Sequence, residues 1–336
     1  MTAARLLRLG AVALVVVAAV AVPPFVGTGN QIALINIAYV MFLCVAWNII
    51  AGYAGQFALG QPVFLAIGAY TSTKLYLAEV SPWFGMAAGA AISGIAAAGL
   101  GLLAFRYKVR GLYFALLTFA SLLVAENIVR ETDWLGGTVG LLIPLGDSAV
   151  DMNWRTQLPY YYVILVLLLL GTLVSWWVRR STLGWRLAAV QQDEEAAPAV
   201  GIDVNRAKLT AFVISAVLTS CGGTFYAQYY QLVSPETVLS FDPQIQMLIG
   251  AIIGGLGTFG GPLVGGLLVG GFNQVLLFLP LSSQFATSAG QIAFAIFLLV
   301  MAIRAPKGVV GIYTSLRARV VRSSARHVGA KPDEEL

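Results

Sequence analysis

Apolar runs of about 20 residues recur along almost the whole chain, and charged residues fall mostly between these runs. The hydrocarbon core of a bilayer is about 30 Å thick, and an α-helix needs about 20 apolar residues to cross it. Only 10% of the 336 residues are charged, against about 25% in a typical soluble domain. The sequence therefore predicts an all-α polytopic membrane protein.

We predict about ten transmembrane helices in a single transmembrane domain that covers residues 1–336. The first lies within Met1–Phe25 and is interpreted as a retained helix, although a cleaved signal peptide ending in small residues is the alternative. The other nine predicted spans are 31–51, 57–77, 84–105, 112–129, 159–178, 209–230, 245–257, 262–279 and 285–303.

The distribution of basic residues predicts how these spans are oriented across the membrane. With Arg5 and Arg8 in the cytoplasm, ten spans leave only Lys74, Arg130 and Arg155 of the 20 Lys and Arg residues on or near the outside. Positive charge collects on the cytoplasmic side of membrane proteins. We therefore expect both termini in the cytoplasm. The net charge of +5 serves this orientation in membrane lipid, and nucleic acid is not an expected partner.

Two cytoplasmic segments follow from this topology, an insert at 179–208 and a C-terminal tail at 304–336. The insert is the longest polar interval with a helical pattern. An amphipathic helix begins it, Pro198 should interrupt that helix or begin a second one, and Gly201 can end the second. Such a segment suits docking into a groove of a partner protein, and a solvated hairpin with no partner is the alternative. The apolar positions of the helix include Leu183, Leu187 and Val190.

Two glycine-rich segments interrupt the apolar pattern, Gly52–Pro62 (GYAGQFALGQP) and Gly254–Pro262 (GGLGTFGGP). A shift of 200 residues superimposes three of their positions, which suggests a two-half internal pseudo-repeat, as in many transporters. Such glycines allow a helix to break beside a cavity, or they permit close helix packing, and both interpretations stay open. The matching positions are Gly55 with Gly255, Gly60 with Gly260, and Pro62 with Pro262.

Polar residues within the spans are candidates for a translocation path, since in hydrocarbon they must face protein or water. As a hypothesis we assign Gln56, Gln61, Glu126 and Asn127 to this path. Glu126 is the one acidic residue well inside a predicted span, as a proton-coupled carrier would require. Arg130 follows four residues later on the same helical face, so an ion pair near the outer interface is the simpler interpretation.

No catalytic or metal site is expected. The sequence contains no HExxH, GxSxG or GxxxxGK[ST] pattern, and it has one His and two Cys residues, too few for a typical zinc site. We predict no cofactor, no enzyme activity and no ATP site in this chain.

Several blocks, in order, resemble the permease subunits of bacterial branched-chain amino acid ABC importers, specifically the M-type (LivM-like) subunits. The resemblance covers about residues 31–312 and includes a match of Glu195–Gly201 to the Glu-Ala-Ala-x-x-x-Gly loop of ABC importer permeases. The blocks are AGYAGQFALGQPVFLAIGAY, RGLYFALLTFASLLVAENIV with GGTVGL, EAAPAVG, FYAQYYQLVSPETVLSF, IGAIIGGLGTFGGPLVGG and RAPKGVVGIY.

The resemblance implies a permease subunit of an ATP-driven importer in the bacterial cytoplasmic (inner) membrane. Its implied partners are two cytoplasmic ABC ATPase subunits, a second permease of H type, and a periplasmic or lipid-anchored solute-binding protein that delivers a small amino acid. It also implies that the insert carries the ATPase-coupling element, at Asp193, Glu194, Glu195, Ala196, Ala197 and Gly201.

The sequence departs from the wider permease pattern beyond Gly201. The usual Ile-x-Leu-Pro is absent, AFVIS stands there, and Pro198 is an addition, so the shape of the coupling element is left open. Relatives that carry urea or amides give one alternative function. An ion-coupled secondary carrier and a membrane scaffold without transport activity are the others. The flanking residues Arg179, Arg180, Arg206 and Lys208 are interpreted as membrane-orienting anchors.

Overall fold

A computed structural model of the chain describes residues 17–278 together with Gly308, and these residues form a predominantly helical fold. Shorter turns join the helices, among them a π-helical turn at Ile49–Tyr53 and a 3-10 turn at Ala197–Val200. The helices, numbered in chain order, are α1 Thr28–Asn48, α2 Gln61–Leu77, α3 Pro82–Arg106, α4 Leu112–Arg130, α5 Gln157–Arg180, α6 Thr182–Gln192, α7 Val204–Tyr230, α8 Pro235–Val238, α9 Phe241–Gly254 and α10 Gly261–Phe278.

Six candidate spans within the described residues are long and apolar enough to cross a membrane. They correspond to α1 with its π-helical turn, α3, α4, α5, α7, and α8 together with α9. Each predicted span between 31 and 279 coincides with a helix, while the start of the first predicted span and the whole of 285–303 lie outside the described residues. The prediction of an all-α polytopic membrane protein is confirmed. A two-residue antiparallel pairing of β1 (Leu141–Leu142) with β2 (Leu232–Val233) is the small addition.

Helix α1 lies at the centre and packs against α5, α7, α9 and α10. Its second half, from Phe42 to Asn48, is buried, and burial continues through the π-helical turn. A helix with apolar residues on every side is typical of such a central position. The residues just before the first glycine-rich segment therefore belong to the core.

Glycines allow α2, α3 and α7 to pack closely. A Cβ placed on Gly223 of α7 would lie 1.9 Å from the carbonyl oxygen of Leu65 in α2, and one on Gly68 would lie 2.0 Å from the carbonyl oxygen of Ser220. Any larger side chain at Gly68 or Gly223 would force the helices apart, as in the small-residue interfaces of membrane bundles.

The bundle has two ends. We call the end that carries 179–208 the insert end: α1, α3, α5 and α9 finish there, and α2, α4, α7 and α10 start there. The small β pairing and α8 lie at the opposite end. This alternation agrees with the up-and-down order of spans that the sequence predicts.

Candidate functional site

The insert begins with α6, whose apolar face packs on the bundle. Leu187 and Val190 are buried and Leu183 is half-buried, so this part of the predicted amphipathic pattern is confirmed. Trp185, in the same helix, is 76% exposed. The helix therefore fixes the insert to the bundle through one narrow stripe.

A compact turn follows α6, and we call its residues 193–201 the knob. Asp193 Oδ1 accepts hydrogen bonds from the backbone N–H groups of Glu195 (2.9 Å) and Ala196 (3.0 Å). Ala197–Val200 then forms the 3-10 turn, with Pro198 within its first two positions, where a missing N–H is tolerated. Gly201 ends the turn at φ +80°, a left-handed conformation that favours glycine. The predicted short second helix and its glycine stop are confirmed.

Glu194 fastens the knob to the bundle by two ion pairs. Its carboxylate lies 2.8 Å from Arg110 Nε, in the loop between α3 and α4, and it also contacts Lys208 Nζ at the start of α7. The Lys208 side chain is only 1% exposed. The interpretation of Lys208 as a membrane-orienting anchor is therefore wrong, because the ammonium group is buried against Glu194 inside the protein.

The predicted coupling residues divide by their surroundings. Asp193 and Glu194 hold the turn, Ala197 is buried beneath it, and Gly201 reverses the chain. Glu195 has an 85% exposed side chain and a looser pair with Arg110 at 3.3 Å. The outward face of the knob consists of Glu195, Ala196, Pro198, Ala199 and Val200.

The two glycine-rich segments meet in the structure at the insert end. Asn48 Oδ1 accepts a hydrogen bond from the Gly257 N–H (2.9 Å), and Asn48 Nδ2 donates to the Thr258 carbonyl (3.3 Å). A Cβ on Gly52 would lie 2.6 Å from Gly257 N. We call 49–60 the first break and 255–260 the second break, since the α-helical pattern stops in both.

Buried polar side chains satisfy the open backbone of the first break. The Ala58 carbonyl accepts from Trp47 Nε1 (2.8 Å) and from Gln244 Nε2 (3.2 Å). The Gln61 side chain donates to Ser215 Oγ, whose hydroxyl donates to the Ala46 carbonyl at 2.8 Å. Irregular backbone at membrane depth requires partners of this kind.

Of the four path candidates, two lie at the first break. Gln56 and Gln61 are buried at the first break, and in each the side-chain oxygen Oε1 has no hydrogen-bond partner among the described residues. Glu126 lies elsewhere, near the opposite end of α4, where it pairs with Arg130 at 2.8 Å. Asn127 is exposed and donates to the Leu123 carbonyl. The predicted ion pair between Glu126 and Arg130 is thus present.

A cleft of about 410 Å³ that the sequence did not indicate lies at the opposite end, between α1, α7, α8, α9 and α10. The hydroxyl of Tyr230 in its wall donates a hydrogen bond to Asn36 Oδ1 at 2.9 Å. Asn36, Tyr39, Val40 and Leu43 share one face of α1 at helical spacing, a pattern visible in the sequence. Among the described residues that line the cleft, none is Lys or Arg, and the acidic ones are Glu236 and Asp242.

Most of the chain matches one known protein family. The sequence profile described as "Branched-chain amino acid transport system / permease component" matches residues 29–305. The chain is 31% identical over 280 residues to the high-affinity branched-chain amino acid transport system permease protein LivM of Escherichia coli (strain K12), which covers 75% of this chain and 64% of LivM. It therefore spans less than two thirds of that relative's length.

Two further relatives broaden the comparison. The permease protein LivH of the same transport system in Escherichia coli (strain K12) is 28% identical over 134 residues, covering 40% of this chain and 41% of LivH. The L-arabinose ABC transporter permease protein AraH of Azospirillum brasilense is 23% identical over 248 residues, 72% of this chain and 71% of AraH. On the match of the family profile to most of its length, this chain belongs to the permease component family of branched-chain amino acid transport systems.

Proposed function

We propose that this chain is a transmembrane permease subunit of an ATP-driven ABC importer for branched-chain or related amino acids. The observation that carries the proposal is the knob. Its outward face combines Glu195 with small residues, while Glu194 joins it to Arg110 and Lys208. A small, firmly held protrusion at one end of a membrane bundle suits the groove of a partner protein.

The proposed partners are two cytoplasmic ABC ATPase subunits that contact the knob, an H-type permease, and a periplasmic or lipid-anchored solute-binding protein. Similarity to both LivM and LivH supports a pair of related permeases. ATP hydrolysis belongs to the ATPase subunits. ATP binding would close their dimer, move the knob and reorient the helices around a central path.

We further propose ten spans in the bacterial cytoplasmic membrane, as one domain over 1–336 with the insert end, both termini and the tail 304–336 in the cytoplasm. Helix α10 has 18 residues and so runs about 27 Å away from the insert end. Gly308 nevertheless lies against Gly255, since a Cβ placed on it would be 2.4 Å from Gly255 Cα. Gly308 is thus at the insert end, and this position supports the proposed tenth span.

The two-half pseudo-repeat is part of this proposal. Gly55 and Gly255 both have positive φ, +66° and +122°. Helices α2 and α10 both start one residue before a proline, Pro62 and Pro262. A glycine of positive φ and a proline at the second position of the next helix thus occur 200 residues apart in both segments, which supports the proposed related halves.

We assign the translocation path to the cleft at the opposite end and to Gln56 and Gln61 at the first break, with Glu126 and Asn127 bordering it near the outside. The cleft has a size that suits a small ligand. Two buried amide oxygens that accept no hydrogen bond from the described part of the chain favour a polar solute or water beside them. The carboxylates of Asp242 and of Glu236, whose Oε1 lies 3.9 Å from Arg130 Nη1, suit the ammonium group of an amino acid.

The solute that we propose is not limited to branched-chain amino acids, because relatives of the chain belong to transport systems for different solutes. LivM and LivH belong to branched-chain amino acid transport, whereas AraH belongs to L-arabinose transport. Urea or amides are the alternative solutes. Selection of the solute is assigned chiefly to the external binding protein.

Reconstitution tests this function. The complex of this chain with its ATPase, H-type permease and solute-binding protein partners should take up leucine into liposomes only when ATP and the binding protein are both present. This chain alone, with a proton or sodium gradient, should give no uptake. Uptake by the chain alone under an ion gradient would contradict the proposal and establish a secondary carrier.

A further inference from the structure

A side-chain hydrogen bond joins the insert to the first break. Gln191, in the last turn of α6, donates from Nε2 to the carbonyl oxygen of Gly52 at 3.1 Å. Gly52 lies in the π-helical turn, just before the chain leaves the helix, where the last carbonyls lack donors within the helix. The Gln191 amide therefore supplies a hydrogen bond that the first break needs.

The Gln191 side chain also packs closely against the first break. Gly55, at φ +66°, lies against the same side chain, and a Cβ placed there would be 3.3 Å from Gln191 Cγ. Leu187 and Val190 fix the preceding turn of α6 on the bundle. Movement of α6 must therefore either carry the first break with it or break the bond between Gln191 and Gly52.

The first break is in turn bonded to the second break. Gly52 packs on Gly257, and Asn48, one turn before Gly52, holds Gly257 and Thr258 by both ends of its amide. A continuous line of contacts thus runs from the insert through both breaks. π-Helical turns are frequent at functional sites, and sharp changes of helix direction occur where the regular hydrogen-bond ladder is interrupted.

Resting on the proposed function, we propose that Gln191 is a positioning residue that transmits displacement of the insert to the two breaks. Its amide holds the first break to α6, so that the breaks rearrange when the knob is moved. Without this donor, the ATPase subunits would still bind the knob and hydrolyse ATP. The helices would rearrange less often for each ATP hydrolysed. The knob thus binds the ATPase, and Gln191 transmits the displacement of the knob to the two breaks.

Four variants test this in the reconstituted complex. Gln191→Ala removes the side chain, and Gln191→Glu keeps its shape but cannot donate to a carbonyl when ionised. Both should assemble with the ATPase subunits and hydrolyse ATP, while solute transported per ATP falls about fivefold or more. Gln191→Lys, which restores a donor, should recover part of the ratio. Gln192→Ala, at the neighbouring exposed position, is the control and should match the wild type.

Hydrogen–deuterium exchange gives a readout independent of transport. The backbone of 52–60 should exchange faster in Gln191→Ala and Gln191→Glu than in the wild type and Gln192→Ala, at unchanged melting temperature. Wild-type transport per ATP in both Gln191→Ala and Gln191→Glu would overturn the role of Gln191 alone. Absence of ATP-dependent uptake in the wild-type complex would instead overturn the proposed importer function, and this inference with it.

Discussion

At the scale of single residues, adjacent glutamates in the knob have different surroundings. Glu194 is 21% exposed and pairs with Arg110 and Lys208, whereas Glu195 is 85% exposed and pairs loosely with Arg110 alone. An exposed carboxylate keeps its charge available to a partner, and a paired one is committed to its own fold. The docking contribution therefore falls on Glu195.

Reversal of this charge should weaken the docking of the ATPase. We expect Glu195→Lys to lower the affinity for the ATPase subunits about tenfold or more, about 1.4 kcal/mol, because a like charge would face the basic groups expected on the partner. The measurement is co-purification and binding to the purified ATPase. Glu131→Lys, a reversal at an exposed site at the opposite end, is the control. Equal binding by both variants would remove Glu195 from the docking surface.

Sequence reasoning named Glu194 and Glu195 together and placed Lys208 among the membrane anchors. A basic residue at the end of an apolar run has that pattern, so the interpretation followed from local sequence. Glu194 precedes Lys208 by 14 residues, and the turn at Gly201 brings the two side chains together. The pair could not be found from periodicity, because it depends on the path of the chain between them.

At the scale of elements, close helix contacts depend on glycines. The approach of α2 to α7 at Gly223 leaves no room for a methyl group beside the Leu65 carbonyl. In a bilayer the association of helices relies on packing and hydrogen bonds, because lipid is as apolar as the side chains. A methyl group at this contact would therefore disrupt the close packing that holds α2 and α7 together.

A methyl group at position 223 should loosen the bundle. We expect Gly223→Ala to lower the free energy of unfolding by about 1–3 kcal/mol, the range for overpacking, measured as the melting transition of purified protein in detergent. Gly99→Ala is the matched control, since a Cβ on Gly99 in α3 meets nothing within 4 Å, and it should be neutral or slightly stabilising. A stability loss as large in Gly99→Ala would show that helix contact is not the cause.

Helix positions were the most predictable part of the molecule. Long apolar runs gave α1, α3, α4, α5 and α7 within a few residues at most boundaries. The dense glycine sequence located both breaks, but the meeting of Gly52 with Gly257 could not be read from it, since these residues are about 200 positions apart. The cleft was missed because its lining comes from five helices, α1 and α7–α10, with a few polar residues each.

At the scale of the whole molecule, the alternation of helix directions separates two chemically different ends. The insert end presents the knob and the Arg110 loop, and the opposite end presents the cleft with Glu236 and Asp242. A carrier that accepts solute on one side and a cytoplasmic partner on the other needs such a division. The two faces should therefore be reachable from opposite sides of the membrane.

Single cysteines test this orientation. In intact cells, Glu131→Cys should react with a membrane-impermeant maleimide, and Glu195→Cys should react only after the membrane is permeabilised. The wild-type chain is the control: Cys44 is buried and Cys221 is half-buried within helices, so we expect little labelling of either. The reverse pattern of reactivity would invert the proposed topology.

The two ion pairs of Glu194 have a consequence for assembly. Together with the hydrogen bonds that Asp193 accepts and the turn at Gly201, they fix the knob before any partner binds. Docking should therefore require little loss of conformational entropy. We infer that the ATPase binds a preorganised surface. Its association rate constant should be about 10⁵–10⁷ M⁻¹s⁻¹, as for other rigid protein partners.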